Sequence, residues 1–239
     1  GGPTPASAPK TLAVAQLASA GSASYRFYLE GTSLPMLSAR EAWAGLPDDF
    51  DALHVGTLGI VVEPTASVVE TLVDEVSGTH LVMLDPHCRP AIVGDFQAFK
   101  DRVLRLIRRA DLIKVSSDDV AYLFRDREFD EVVEQVVARG GVMLHTSGAG
   151  PIDVFAPDGR DSVQPPSGGV VDTVGAGDIF GATVLWALTE KGWKKGQSLG
   201  LAEVMPAVRT AGVAAHLACQ RAGAEPPTLT ELLASLLPA

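Results

Sequence analysis

Three apolar runs, LVMLD (81–85), DLIKVS (111–116) and VMLHT (142–146), recur along the chain with helical periodicity before and between them. A strand with one wet face alternates apolar and polar residues. These runs do not, so both of their faces are expected to be buried, as in a parallel sheet sandwiched between helices. The intervening segments fit that role. Pro64-Thr65 opens a helix with Val68, Val69, Leu72, Val73 and Val76 on one face, and Asp95 caps a second that carries Phe96, Phe99, Val103 and Ile107. EFDEVVEQVVARG is a third, closed by Gly140, and ALHVGTL (52–58) reads as a further strand. Strands alternating with helices define an α/β fold: a doubly wound, mostly parallel sheet with helices on both faces. Ligands of such sheets sit at the carboxyl ends of the strands, which singles out the residues just after these runs.

The 239 residues suffice for one large α/β domain with a small appendage, and 46% hydrophobic content supplies its core. A formal net charge of −10 argues against nucleic acid, whose phosphates are bound by basic stripes. The densest basic stretch, KDRVLRLIRR (100–109), reads as the solvated face of an amphipathic helix. Cys88 and Cys219 are far apart, and no histidine pair has metal-ligand spacing, which fits a reducing cytoplasm. No run is long enough for a membrane span, and the start does not read as a signal peptide. GGPTPASAP (1–9) reads as a lead-in. TLAVAQL and SYRFYL flank ASAGS, a hairpin turning near Gly21-Ser22, so residues 10–34 form a small β lid and 35–239 the α/β domain. At the other end Thr228 and Glu231 form a capping box, with Leu229, Leu232, Leu233 and Leu236 expected to face inward.

The segment VDTVGAGDIFG (171–181) admits three readings. It is a tight strand-to-helix turn in which Asp178 is favoured by the positive end of the helix dipole; or a dinucleotide fingerprint; or an anion cradle with a base beside it. The second fails on context, because the loop comes late in the chain and no acidic strand end follows about twenty residues on. In the third, Gly175, Ala176 and Gly177 let main-chain amides approach a phosphoryl group, and Asp178 takes the proton of an attacking hydroxyl.

DTVGAGDIF resembles the C-terminal signature of the ribokinase family of carbohydrate kinases (PfkB-type). The resemblance implies that Asp178 is the catalytic base and that the amides of Gly175, Ala176 and Gly177 form the anion hole. LDPHCRP (84–90) resembles the family's DPNxRP segment, with His87 in place of Asn, and Arg89 is implied as a substrate ligand. KVSSDDVAYL resembles the NxxE segment, with Ser116 and Asp119 in place of Asn and Glu. This implies ATP contacts and a water-bridged Mg²⁺ at Asp119. HTSGAGP resembles the nucleotide segment, implying ATP contacts from Thr146, Gly148 and Gly150, with Pro151 replacing its last glycine. AGVAAHLACQRAGA resembles the adenine-side helix, with Gly212 where many members carry Asn. SYRFYLEGTS resembles a lid whose Tyr25 and Arg26 reach the sugar and which clasps a second subunit as a homodimer. Asp172 and Thr173 are implied as a monovalent cation (K⁺) site. The family's first βαβ units, with their GGN-type signature, have no counterpart here beyond Gly1-Gly2. The implied activity is that of a cytoplasmic, ATP- and Mg²⁺-dependent sugar kinase, fructokinase first. A 2-keto-3-deoxysugar acid kinase, a nucleoside kinase and a non-catalytic nucleotide or sugar sensor are the alternatives. His87 and Cys88 read as local packing, and His145, His216, Trp43, Trp186 and Trp193 as structural.

Overall fold

The structure, a computed structural model, describes residues 8–17 and 23–236; most of the lead-in and the turn at Gly21-Ser22 lie outside the described residues. β1 (Leu12–Leu17) and β2 (Ala23–Tyr28) form an antiparallel ribbon in which Leu12 faces Tyr28 and Val14 faces Arg26. Its base is tied to the following turn by Ser33 N–H donating to Pro9 O at 2.9 Å and by the Thr11 and Thr32 hydroxyls at 2.8 Å. α1 (Ala39–Gly45) follows, opened by a Ser38–Glu41 capping box.

The body alternates as the apolar runs require. Its elements are β3 (Ala52–Gly56), α2 (Thr65–Val76), β4 (Leu81–Asp85), α3 (Phe96–Ile107), β5 (Leu112–Ser116), α4 (Ser117–Leu123), α5 (Glu128–Ala138) and β6 (Val142–Thr146). These four strands are parallel and lie side by side in chain order. Two further strands, β7 (Ile152–Ala156) and β8 (Gly159–Val163), add antiparallel to β6 and make the sheet mixed. Sequence periodicity did not single them out, although β7 alternates cleanly, with Ile152, Val154 and Ala156 buried, and β8 leaves Arg160, Asp161 and Ser162 exposed at the edge. The chain closes with α6 (Ala176–Glu190), α7 (Leu201–Cys219) and α8 (Leu229–Leu236).

Side chains of successive strand residues point to opposite faces, and the core divides accordingly. Val82, Leu84, Ile113 and Val115 pack with α2, α3 and α5 on one face. Leu81, Met83, Leu112, Val142 and Leu144 pack with α6 and α7 on the other. All five residues of β4 are buried, which is why that run carries no polar alternation.

Two expectations are corrected. The basic stretch of α3 is not simply solvated: Arg102 and Arg105 pair with Glu70, Arg102 also with Glu63, and Arg109 with Asp74 at 2.6 Å, so α3 is clamped to α2 and the segment leading into it. The exposed Arg109–Asp74 pair contributes about 0–1 kcal/mol. In α8 only Leu232 is buried, against Ile179, Ala214 and Ala218, while Leu229, Leu233 and Leu236 are exposed. An eight-residue helix lying on the single small-residue face of α7 presents one position inward. The Thr228–Glu231 box is formed as expected, and Arg221 adds an ion pair to Glu231 at 2.5 Å.

Candidate active site

The alternation that sorts the core also builds the site. Counting on from Leu81 and Met83, Asp85 falls on the α6–α7 face. Lys114 follows Leu112 onto the same face, and Thr146 follows Leu144. Asp85 and Thr146 are the last residues of their strands, and Lys114 is the third of five in β5. Lys114 Nζ donates to Asp85 Oδ2 at 2.7 Å, and both residues are almost fully buried. Burial pushes the Asp85 carboxyl up to about 6, against the pull of the Lys114 ammonium. Its other oxygen, Oδ1, is buried without a hydrogen-bond partner.

The glycine loop lies over this pair. Gly175 caps α6 with φ +79°, and a Cβ there would come within 2.6 Å of the Ala224 methyl, so backbone conformation and space both demand glycine. A Cβ on Gly177 would stand 3.1 Å from Lys114 Nζ, which places the buried ammonium directly against the first turn of α6. The Ala176 amide donates to Thr173 O at 3.3 Å, whereas those of Gly177 and Asp178 lie in the turn that has no carbonyl four residues back. Helix dipole, first-turn amides and Lys114 therefore point positive charge at one place. Asp178 projects from that turn into solvent, its side chain 66% exposed.

Two loops frame the entrance. Asp119, buried, accepts from the Ser116 amide at 2.9 Å and hydroxyl at 2.6 Å through Oδ2, and from the Cys88 amide at 2.6 Å through Oδ1. The Ser116–Asp119 box opens α4, and the bond to Cys88 joins it to the loop after β4. These hydrogen bonds outweigh burial and hold the Asp119 carboxyl below its ordinary range. On that loop His87 adopts φ +41° and its Nε2 lies 2.5 Å from Arg89 Nη2, while its Nδ1 lies 3.9 Å from Asp178 Oδ1. His87 is thus a cleft residue; the expectation of local packing is corrected. Burial first, then the neighbouring Arg89 and Lys114 cations, push its imidazole down to about 4.

A cleft of about 660 Å³ runs from His87, Arg89 and Lys114 past Ser116 and Asp119 to Thr146, Gly148 and Gly212. The structure thus brings together most of the residues singled out in sequence, with Thr173, Ala176 and Gly177 lining the same space and Asp178 at its mouth. Gly150 lies beside it in a turn, donating to Ser147 O at 2.9 Å. Asp172 braces two loops instead, accepting from the Val174 amide at 3.0 Å and the Gly223 amide at 2.9 Å. Arg26 is exposed on the ribbon and does not line the cleft, and the side chain of Tyr25 is outside the described ones. Lys114 was not singled out in sequence, where it reads as one cation in an apolar run. The signal was its parity with Leu112: a charge on the buried face of a strand must meet a partner or a ligand. His216 and Cys219 also line the cleft, whereas Trp193 is structural as expected, buried and donating to Ser198 O at 3.1 Å.

A mixed α/β sheet with first-turn amides, a buried cation and an exposed carboxylate near the carboxyl ends of its strands is an arrangement suited to anionic ligands. Residues 7–231 match the model of the pfkB family carbohydrate kinases, and the chain belongs to that family. It is 31% identical over 181 residues to a fructokinase of Rhizobium leguminosarum bv. trifolii, covering 75% of this chain and 55% of that protein. The chain spans about half the length of the curated relatives it matches. In fold it is similar to the fructokinase with bound ATP from Xylella fastidiosa, with a TM-score of 0.81 and 20% identity, covering 96% of this chain and 74% of that one. It is also similar to a double mutant of the fructokinase from Vibrio cholerae O395 in fructose, ADP and potassium ion bound form. There the TM-score is 0.75 and identity 23%, covering 90% and 68% of the two chains. No described helix is long and apolar enough to cross a membrane.

Proposed function

We propose that the chain is the phosphoryl-transfer part of an ATP-dependent sugar kinase, with fructose as acceptor. The observation that carries this reading is the position of Asp178. It is an exposed carboxylate in the first turn of α6, at the rim of a cradle whose floor is the Lys114 ammonium. The γ-phosphoryl seats on the Gly177 and Asp178 amides and draws on Lys114 as charge gathers on its oxygens. Asp178 takes the proton of the sugar hydroxyl as that oxygen bonds to phosphorus and the bond to ADP breaks. The nucleotide lies along Ser116, Thr146, Gly148 and Gly212.

Asp119 Oδ2 already accepts from both donors of Ser116, whereas Oδ1 accepts only from the Cys88 amide and keeps a second lone pair, so the residue fits Mg²⁺ held through water and not by direct contact. Bound there, the ion neutralises phosphate charge. Asp172 and Thr173, at the foot of the cradle, are the residues we assign to a monovalent cation, K⁺, by resemblance to the family. Arg89 is engaged with His87. That favours a neutral sugar over a sugar acid, whose carboxylate would need the guanidinium. The β1–β2 ribbon, with Leu12, Val14 and Tyr28 exposed, is assigned as the lid and as the surface for a second copy.

The reading is tested by sugar-dependent ADP release from ATP over a panel of fructose, 2-keto-3-deoxygluconate and ribonucleosides. Turnover with fructose foremost is expected. ATP binding without turnover on any acceptor would replace the kinase by a nucleotide sensor.

A further inference from the structure

His87 is a half-buried side chain beside Asp178 whose ring nitrogens are only half accounted for. An arginine has no acceptor, so the 2.5 Å contact from Arg89 Nη2 makes His87 Nε2 the acceptor, and the ring proton of the neutral imidazole resides on Nδ1. That Nδ1 is buried and makes no hydrogen bond; the nearest carboxylate oxygen is Asp178 Oδ1 at 3.9 Å. The ring is held in place by a left-handed backbone at φ +41°, a conformation that a non-glycine residue adopts at a cost and that gathers at functional positions. The loop carrying it is anchored one residue later, where the Cys88 amide donates to Asp119. Arg89, Lys114, Asp119 and Asp178 are the charged groups around the ring. Guanidinium, imidazole and carboxylate thus stand in a line, the guanidinium donating to the imidazole and the imidazole's Nδ1–H lying 3.9 Å from the carboxylate acceptor.

We propose that His87 is a positioning residue for Asp178: with its tautomer fixed by Arg89, it presents Nδ1–H to the carboxylate and holds Oδ1, leaving Oδ2 to face the sugar hydroxyl. Gaps of this length close when a substrate seats, because catalytic hydrogen bonds are commonly long in the free enzyme. A neutral donor orients the carboxylate without the loss of basicity that a cation in contact with it would cause. The role in turnover rests on the kinase reading above; the tautomer and the contact with Asp178 do not.

The test has two arms. In the first, ¹⁵N–¹H spectra of the histidine rings report the His87 tautomer in the native chain and in Asp178→Asn. A protonated Nδ1 with an unprotonated Nε2 at neutral pH is expected, with the Nδ1 signal displaced in Asp178→Asn. An Nε2–H tautomer, or a signal indifferent to Asp178→Asn, would overturn the proposal whether or not the chain turns over sugar. The second arm compares variants that suit the same backbone. His87→Asn keeps a donor at the place of Nδ1 and tolerates φ +41°, whereas His87→Gly relaxes the backbone and has no donor. His87→Gln puts its amide at the place of Nε2, toward Arg89. Sugar-dependent kcat in His87→Asn is expected within about threefold of native. His87→Gly and His87→Gln are expected to fall at least tenfold with KM for ATP unchanged. Equal rates for Asn and Gly would leave only a backbone role and sink the idea. A native chain without sugar-dependent turnover removes the kinase reading alone, and the spectra then decide the rest.

Discussion

Lys114 Nζ lies 2.7 Å from Asp85 Oδ2, with both side chains shut away from solvent beneath the glycine loop. One strand position contributes the cation and its parallel neighbour the anion, so the pair joins the carboxyl end of β4 to the middle of β5. Stripping one partner from such a pair leaves an uncompensated buried charge.

Lys114→Met is therefore expected to lower unfolding free energy by about 3–5 kcal/mol, read as a reduced urea midpoint. Pairing it with Asp85→Asn removes the stranded carboxylate and is expected to recover part of that loss. Sugar-dependent turnover should nonetheless stay about 10²-fold down in the double variant, because the cradle has lost its floor. A double variant as active as the native chain would show the pair to be structural only.

Asp178→Asn keeps the side-chain shape and removes the carboxylate proposed as proton acceptor. Turnover should drop roughly 10²–10⁴-fold while the Kd for ATP changes little, since the exposed carboxylate lies at the mouth of the cleft and not along its nucleotide part. Single-turnover ADP release and nucleotide titration check the two halves separately.

Gly175→Ala meets two obstacles at once: φ of +79° and a methyl contact at 2.6 Å to Ala224. The variant should lose about 1–3 kcal/mol of stability. Its first turn must also shift, weakening ATP binding more than Gly192→Ala, which has a similar φ of +76° but open space around it. Equal ATP affinities in the two variants would contradict a cradle role for the loop.

The His87 imidazole is pushed down to about 4 from an ordinary 6.5 by burial and by Arg89 and Lys114. Between those values the unfolded chain binds the proton and the folded chain does not, so this residue makes stability rise with pH from about 4 to 6.5. Asp85 has the opposite sign, because its raised carboxyl keeps a proton that the unfolded chain has already released. The native profile mixes the two, but subtraction isolates His87. Relative to His87→Asn, the native chain should gain as much as ~3 kcal/mol across that window, measured by urea titrations at stepped pH. A flat difference would refute the burial argument.

Much of this architecture was legible from periodicity. The apolar strands, the helices over 65–76, 96–107 and 128–138, and the cap at Asp95 follow from local pattern and stand where expected. The glycine loop stood out through its residue types, which fit a tight strand-to-helix turn as well as an anion cradle, and its resemblance to the family signature chose between them. What stayed hidden was of two kinds. β7 and β8 are short, partly polar and antiparallel, so they lack the apolar run by which the other strands are recognised. Lys114 and His87 owe their roles to neighbours 29 and 91 residues away, Asp85 and Asp178, and no local pattern encodes such a meeting. The ribbon marks a third case, since alternation shows that a hairpin forms but not where Arg26 comes to rest.

Asp119, finally, acts as a rivet. One buried carboxylate grips the amide of Cys88 and both donors of Ser116, so the two lips of the cleft are tied to each other. Whatever shields the reacting atoms from water is expected to come from outside this frame, and the ribbon, its base tied down by the Thr11 and Thr32 hydroxyls, is the segment we assign to that task.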